Sequence, residues 1–143
     1  MLTVFAVMGF TNSYVDYIMN FCSHNPVLRI RGIDEYYEEG ISITRVTPDL
    51  LDVLNNKVSK DNVYPVFIET PADQILKEGI KACSKGDGTY VGMAQTFLAD
   101  DKTYSASALS GVGAYKISTD NACDAAYEFL SYVKKVVAER SSQ

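Results

Sequence analysis

The chain has no tryptophan, one histidine (His24) and three cysteines, Cys22, Cys83 and Cys123. So few soft ligands, scattered along the chain, offer no metal-ligand spacing. The odd, widely spaced thiols read as reduced cysteines rather than a disulfide framework. Neither a metal nor a cofactor is expected. Arginine is confined to Arg29, Arg31, Arg45 and Arg140, and the net charge is −5 with a pI near 4.8. That balance argues against ordinary nucleic-acid binding, which needs a basic face. No apolar run approaches the roughly 18 residues of a membrane helix. Met1 leads into an apolar run without a basic stretch before it, so no signal peptide is expected and the expected location is the cytoplasm. With 143 residues, 47% of them hydrophobic, and a mean hydropathy of −0.04, the composition is that of one globular domain over residues 1–143.

Strand-like and helix-like segments alternate. Leu2–Met8 and Val63–Glu69 are apolar runs that read as buried strands, with Pro65 near the start of the second. Val27–Arg31, Ile41–Val46 and Ala114–Ser118 read as three shorter strands. Helices are expected over Ser13–Cys22, from Thr47 to about Asn56, from Thr70 to about Ala82, over about Thr89–Tyr104, and from Asp120 or Asn121 onward. Thr47-Pro48-Asp49 carries a cap, a first-position proline and an acid at the positive helix end, and Thr70-Pro71-Ala72-Asp73 repeats that logic. Leu50, Leu51, Val53 and Leu54 are expected to face inward. Ala122, Ala126, Phe129, Val133, Val136 and Val137 recur at helical spacing. Ser105–Gly113 reads as a small, flexible connector. The expected fold class is α/β, a mostly parallel sheet with helices on both faces.

The segment Gly9-Phe10-Thr11-Asn12-Ser13-Tyr14-Val15-Asp16 lies between the first strand and the first helix. That is the setting of the phosphate loop G-x-x-x-x-G-K-[ST]. Gly9 matches the first glycine. Tyr14 stands at the second glycine, which lets backbone approach an anion. Val15 stands at the lysine, which supplies positive charge to the β/γ-phosphates. Asp16 adds negative charge beside the site. Gly9, Asn12, Ser13 and Asp16 are therefore candidates for a degenerate phosphate loop. The acidic run Asp34–Glu39 is expected to be a solvated connector.

Several segments, in order, resemble guanylate kinases and related P-loop nucleoside-monophosphate kinases. Val4–Gly9 followed by Asn12-Ser13 resembles their first strand and loop. Val63–Gly79 resembles the strand and helix before the lid. Phe97–Tyr104 is similar to the family's lid segment, and Lys116–Asp120 to its junction beside the nucleotide base. The resemblance implies a P-loop kinase fold with a reduced substrate-binding insert, of which Arg29, Arg31, Tyr36 and Tyr37 would be remnants. It also exposes what is missing: Val15 replaces the loop lysine, and Gln95 and Thr96 replace paired lid arginines. Losing one preorganised charge in such a site costs roughly 3–4 kcal/mol, or two to three decades in rate. The resemblance therefore implies a pseudoenzyme.

The expected function is binding of a protein partner, with a basic surface as the favoured chemistry and Tyr14, Arg29, Arg31, Tyr36 and Tyr37 as contact residues. A tyrosine-rich face would permit a homodimer. By analogy alone, the small size suggests a viral or mobile-element inhibitor of a host system. The competing expectations are a sensor that binds a nucleotide weakly and an atypical nucleoside-monophosphate kinase.

Overall fold

A computed structural model of the chain describes residues 1–142. Five strands, β1 (Leu2–Met8), β2 (Leu28–Ile30), β3 (Gly40–Arg45), β4 (Val63–Glu69) and β5 (Tyr115–Ser118), form one sheet. The strand order is β2-β3-β1-β4-β5, and every neighbouring pair is parallel. Six helices accompany them: α1 (Tyr14–Ser23), α2 (Pro48–Val58), α3 (Ala72–Ser84), α4 (Tyr90–Thr103), α5 (Ala106–Ser110) and α6 (Ala122–Ser141). A single 3-10 turn, Lys60–Asn62, leads into β4. The expected α/β class, with helices on both faces of a parallel sheet, is the one observed.

Crossover handedness explains the layering. From β1 the chain passes through α1 to one edge of the sheet; from β3 it passes through α2 back across β1 to β4. Right-handed crossovers in opposite directions place their helices on opposite faces. Accordingly Phe5 and Val7 of β1 pack with Val15 and Ile18 of α1 and Phe129 and Val133 of α6. Val4, Ala6 and Met8 pack on the other face with Leu51 and Leu54 of α2. With both faces covered, β1 is apolar from Val4 through Met8, and all five residues are fully buried. At Pro65 β4 pairs with β1 alone, because β5 joins only from Val66. A residue without an N–H is accommodated at that one-sided position.

Side-chain caps start most helices. Ser13, Thr47, Thr89, Ser105 and Asn121 each accept a backbone N–H from the first turn. Three expectations need correction. Leu50 and Val53 are exposed while Leu51 and Leu54 are buried, because only one stripe of α2 meets the sheet. The Ser105–Gly113 connector contains helix α5, since Ser105 supplies a cap and Leu109 anchors it to the core. Thr70 does not cap α3: the cap position is Pro71, with no side-chain bond.

The cysteines sit in three environments. Cys22 is fully buried in the α1 face of the core, Cys83 is half-buried and Cys123 is exposed. Burial pushes the Cys22 thiol up to about 11 from an ordinary 9.0. In native protein a thiol-specific disulfide reagent at neutral pH should label Cys123 first and Cys22 only on unfolding. The protonated Cys22 thiol supports the fold fully below pH 9. That support falls as the pH rises from 9 toward 11, where the unfolded chain ionises first. Equal labelling rates for Cys22 and Cys123 would contradict this placement.

Candidate functional site

In open α/β sheets, ligands bind outside the carboxyl ends of the strands, where successive connections leave in opposite directions. Here that point lies between β1 and β4. The chain leaves β1 toward β3 and β2, and leaves β4 toward β5. Gly9 to Ser13 forms one side of the crevice and Thr70 the other.

Gly9 is needed for close approach. A Cβ there would lie 2.2 Å from Val15 Cγ2 and 3.1 Å from the Ile68 carbonyl oxygen. Val15 is therefore folded underneath the loop, fully buried. Asn12 takes a left-handed conformation, φ 60°, which asparagine tolerates better than most residues. Ser13 then caps α1 and forms a capping box with Asp16.

Four N–H groups of this turn are already engaged. Thr11 N–H donates to Asp100 Oδ2 of α4 at 2.9 Å. Ser13 N–H donates to Asp16 Oδ2 at 3.1 Å. Tyr14 N–H donates to Thr70 Oγ1 at 3.0 Å, and Val15 N–H to Ser13 Oγ at 3.2 Å. These donors would face a phosphate in a working loop. Two of the four acceptors here are carboxylates. Arg45, at the end of β3, completes the arrangement: its guanidinium donates to Asp16 Oδ1 at 2.5 Å and to the Phe10 carbonyl at 3.2 Å. The one arginine at the loop is thus neutralised by the loop's own acid.

Beside the turn is a cleft of about 530 Å³, lined among others by Asn12, Tyr17, Thr70, Gln74, Glu78 and Asp120. Among the described residues, no lysine or arginine lines it. Tyr14 is buried at its edge and donates its hydroxyl to the Asp120 carbonyl at 3.0 Å. Burial raises the phenol's pKa, and the charges of Asp73 and Asp120 add to the shift. A phosphate entering this cleft would meet Asp16, Glu78 and Asp120 without a free cation. Arg45 and Lys81 already pair with Asp16 and Glu78 and offset part of that repulsion; an uncompensated like charge at about 5 Å and an effective dielectric of about 20 costs roughly 3 kcal/mol, and less where solvent screens it. The cleft suits a neutral or cationic group better than an anion.

The remaining predicted residues lie apart from this crevice. Gly9, Asn12, Ser13, Tyr14 and Asp16 come together, whereas Arg29 and Arg31 sit on and just after the edge strand β2, two strands from β1. Arg29 pairs with Glu38, and Arg31 donates to the neighbouring Ile30 carbonyl. Tyr36 is 79% exposed. Tyr37 is buried, its hydroxyl bonded to the Gly32 carbonyl and to Thr44 Oγ1, with the Lys57 ammonium over its ring. The acidic residues of the connector are exposed, as expected, and three of them make contacts: Glu38 holds Arg29, Glu39 meets the N-terminal ammonium, and Glu35 accepts the Gly32 N–H.

Sequence reasoning missed Arg45 and Thr70 as components of the site, whereas Asp100 and Asp120 lie in segments that the resemblance had set apart. Arg45 carried a signal, as a lone cation ending a buried strand at the carboxyl edge. The pairing of Asp100 with Thr11 carried none, since the two lie 89 residues apart. Among the described residues, no group of three or more His, Cys, Asp or Glu is placed to hold a metal ion. No helix among them is long and apolar enough to cross a membrane. No protein-family model matches the chain, and no curated protein matches it.

Proposed function

We propose that this chain is a guanylate-kinase-like scaffold of the P-loop type that has lost phosphoryl transfer and acts by binding a protein. One observation carries the reading. Four N–H groups of the turn after β1, those of Thr11, Ser13, Tyr14 and Val15, are spent on Asp100, Asp16, Thr70 and Ser13, all from the chain itself. A parallel sheet with β1 at its centre, a glycine directly after β1 and a helix N-terminus behind it support the scaffold part. Val15, buried at the lysine position, supports the loss of catalysis.

The binding part rests on surface composition. On the α1/α6 face, Tyr17 and Phe21 stack with centroids 6.5 Å apart, and Tyr127 beside them is 77% exposed. Exposed aromatics grouped on one face favour protein contact. The net charge of −5 and the acidic cleft favour a basic partner surface.

The test has two arms. Calorimetric titration with ATP, GTP and GMP, each with magnesium, should give no binding tighter than about 1 mM, and a coupled assay with nucleoside monophosphates should show no turnover. Micromolar affinity or measurable turnover would overturn the loss of catalysis. Affinity capture from the native host should recover a partner that Tyr17→Ala and Tyr127→Ala both release. Partner capture unchanged by these substitutions would overturn the assignment of that face.

A further inference from the structure

We infer that the cleft beside the turn after β1 receives an arginine side chain of the protein partner, while an apolar residue of the same segment covers Phe21 and Tyr127. This rests on the proposed protein-binding role and names the chemistry by which that surface recognises its partner.

Three observations carry it. First, the cleft has acceptors to spare. The Asp120 carbonyl takes the Tyr14 hydroxyl, but the exposed Asp120 carboxylate has no hydrogen-bond or ion-pair partner among the described residues. The half-buried amide groups of Asn12 and Gln74 also line the cleft and make no side-chain hydrogen bond among those residues. Glu78 meets only Lys81, at 3.5 Å and with both groups exposed, a contact that a better donor displaces at little cost. Second, the walls carry no lysine or arginine that would repel an incoming guanidinium. Third, the exposed Tyr17 lines both this cleft and a neighbouring hollow of about 310 Å³ bounded by Phe21, Tyr127 and Leu130. It joins the acidic and the aromatic parts into one continuous surface. Lys134 borders the second hollow, so a cation is accepted at one end only, and that polarity orients a docked segment.

A guanidinium suits these groups better than an ammonium. Its planar fork presents several N–H donors to acceptors on separate elements: Gln74 and Glu78 on α3, Asp120 before α6 and Asn12 in the turn. It is more weakly hydrated than an ammonium and stacks on an aromatic face such as that of Tyr17. The cleft, at about 530 Å³, admits the methylene stem as well as the charged head. A lysine ammonium is a compact charge that reaches fewer of these acceptors at once.

NMR titration of the full chain with three capped tripeptides tests this without knowledge of the partner. The probes are leucine–arginine–leucine and its counterparts with lysine or citrulline at the centre; citrulline keeps the shape of arginine and loses the charge. The arginine peptide should give saturable shifts at the backbone amides of Tyr17, Gln74 and Asn121 below about 10 mM. The lysine peptide should bind at least about threefold more weakly, and the citrulline peptide at least about tenfold. Asp120→Asn and Glu78→Gln should each weaken the arginine peptide at least about threefold, and Asp52→Asn, exposed on α2, should bind it as wild type does. The amide of Phe129, buried in α6, should keep its resonance in each variant as the measure of an intact fold. Absence of shifts at the cleft, or equal affinity for the arginine peptide and either counterpart, would overturn the inference. Capture from the native host separates this from the parent reading. If Asp120→Asn with Glu78→Gln recovers the partner as well as wild type does, the arginine assignment fails and protein binding stands. If wild type recovers no partner while the arginine peptide still binds selectively, the protein-binding reading fails and the guanidinium site stands.

Discussion

Val15→Lys is expected to destabilise the protein by about 3–5 kcal/mol and to yield no kinase. The substitution restores the residue type that a phosphate loop requires, which makes its failure informative. Val15 is fully buried, and its Cγ2 lies 2.2 Å from where a Gly9 Cβ would be. A lysine at this position starts beneath the loop rather than above it. Its ammonium must either lose its proton in the apolar α1 face of the core or force α1 away from β1. Natural domains hold only about 5–15 kcal/mol in reserve, so the loss is a large share of the total. Urea unfolding followed by circular dichroism should show a midpoint lowered by roughly 1–5 M for a slope near 1–3 kcal/mol/M. A Val15→Lys protein of wild-type stability that phosphorylates a nucleoside monophosphate would show that the loop differs from ours in both geometry and role.

Phe5→Ala should cost a comparable 3–5 kcal/mol, for a different reason. Phe5 is fully buried in the central strand. Its ring makes edge contacts with Phe129 at 6.1 Å and Tyr132 at 5.9 Å on α6, and a tilted contact with Tyr64 at 5.8 Å on β4. Truncation removes transfer energy, leaves a cavity that a stiff sheet cannot close, and loses three aromatic contacts at once. Phe21→Ala is the control. Phe21 is exposed on α1, so its loss should stay within about 0.5 kcal/mol. Similar effects of the two substitutions would contradict the assignment of the core to the α1/α6 face.

The parts of the fold that were legible in the sequence are those governed by local pattern. β1 and β4 announce themselves as unbroken apolar runs because both faces of a parallel strand are covered. The start of α6 is marked by Asn121, and its buried stripe at Ala126, Phe129, Val133 and Val136 by helical spacing. Helix α5 was hidden because alanine and serine carry little periodic signal. Leu50 and Val53 misled because an apolar residue on a helix need not face the sheet.

In the candidate site, local chemistry was visible and long-range chemistry was not. The missing lysine and the Asp16 carboxylate can both be read from neighbours in the chain, whereas the role of Ser13 as the cap of α1 emerges only with the fold. Thr70 precedes a proline and reads as the cap of its own helix, yet its hydroxyl serves the Tyr14 N–H of α1. The pairing of Arg45 with Asp16 and of Asp100 with Thr11 depends on how the strand ends and helices meet in space. No spacing rule encodes either.

The central claim is that the turn after β1 is filled from within the chain. Backbone amide resonances of Thr11, Ser13, Tyr14 and Val15, followed by NMR while magnesium–ATP and magnesium–GTP are added to about 1 mM, test it most directly. The account predicts that all four resonances stay in place. Saturable shifts of these amides at micromolar nucleotide would contradict it.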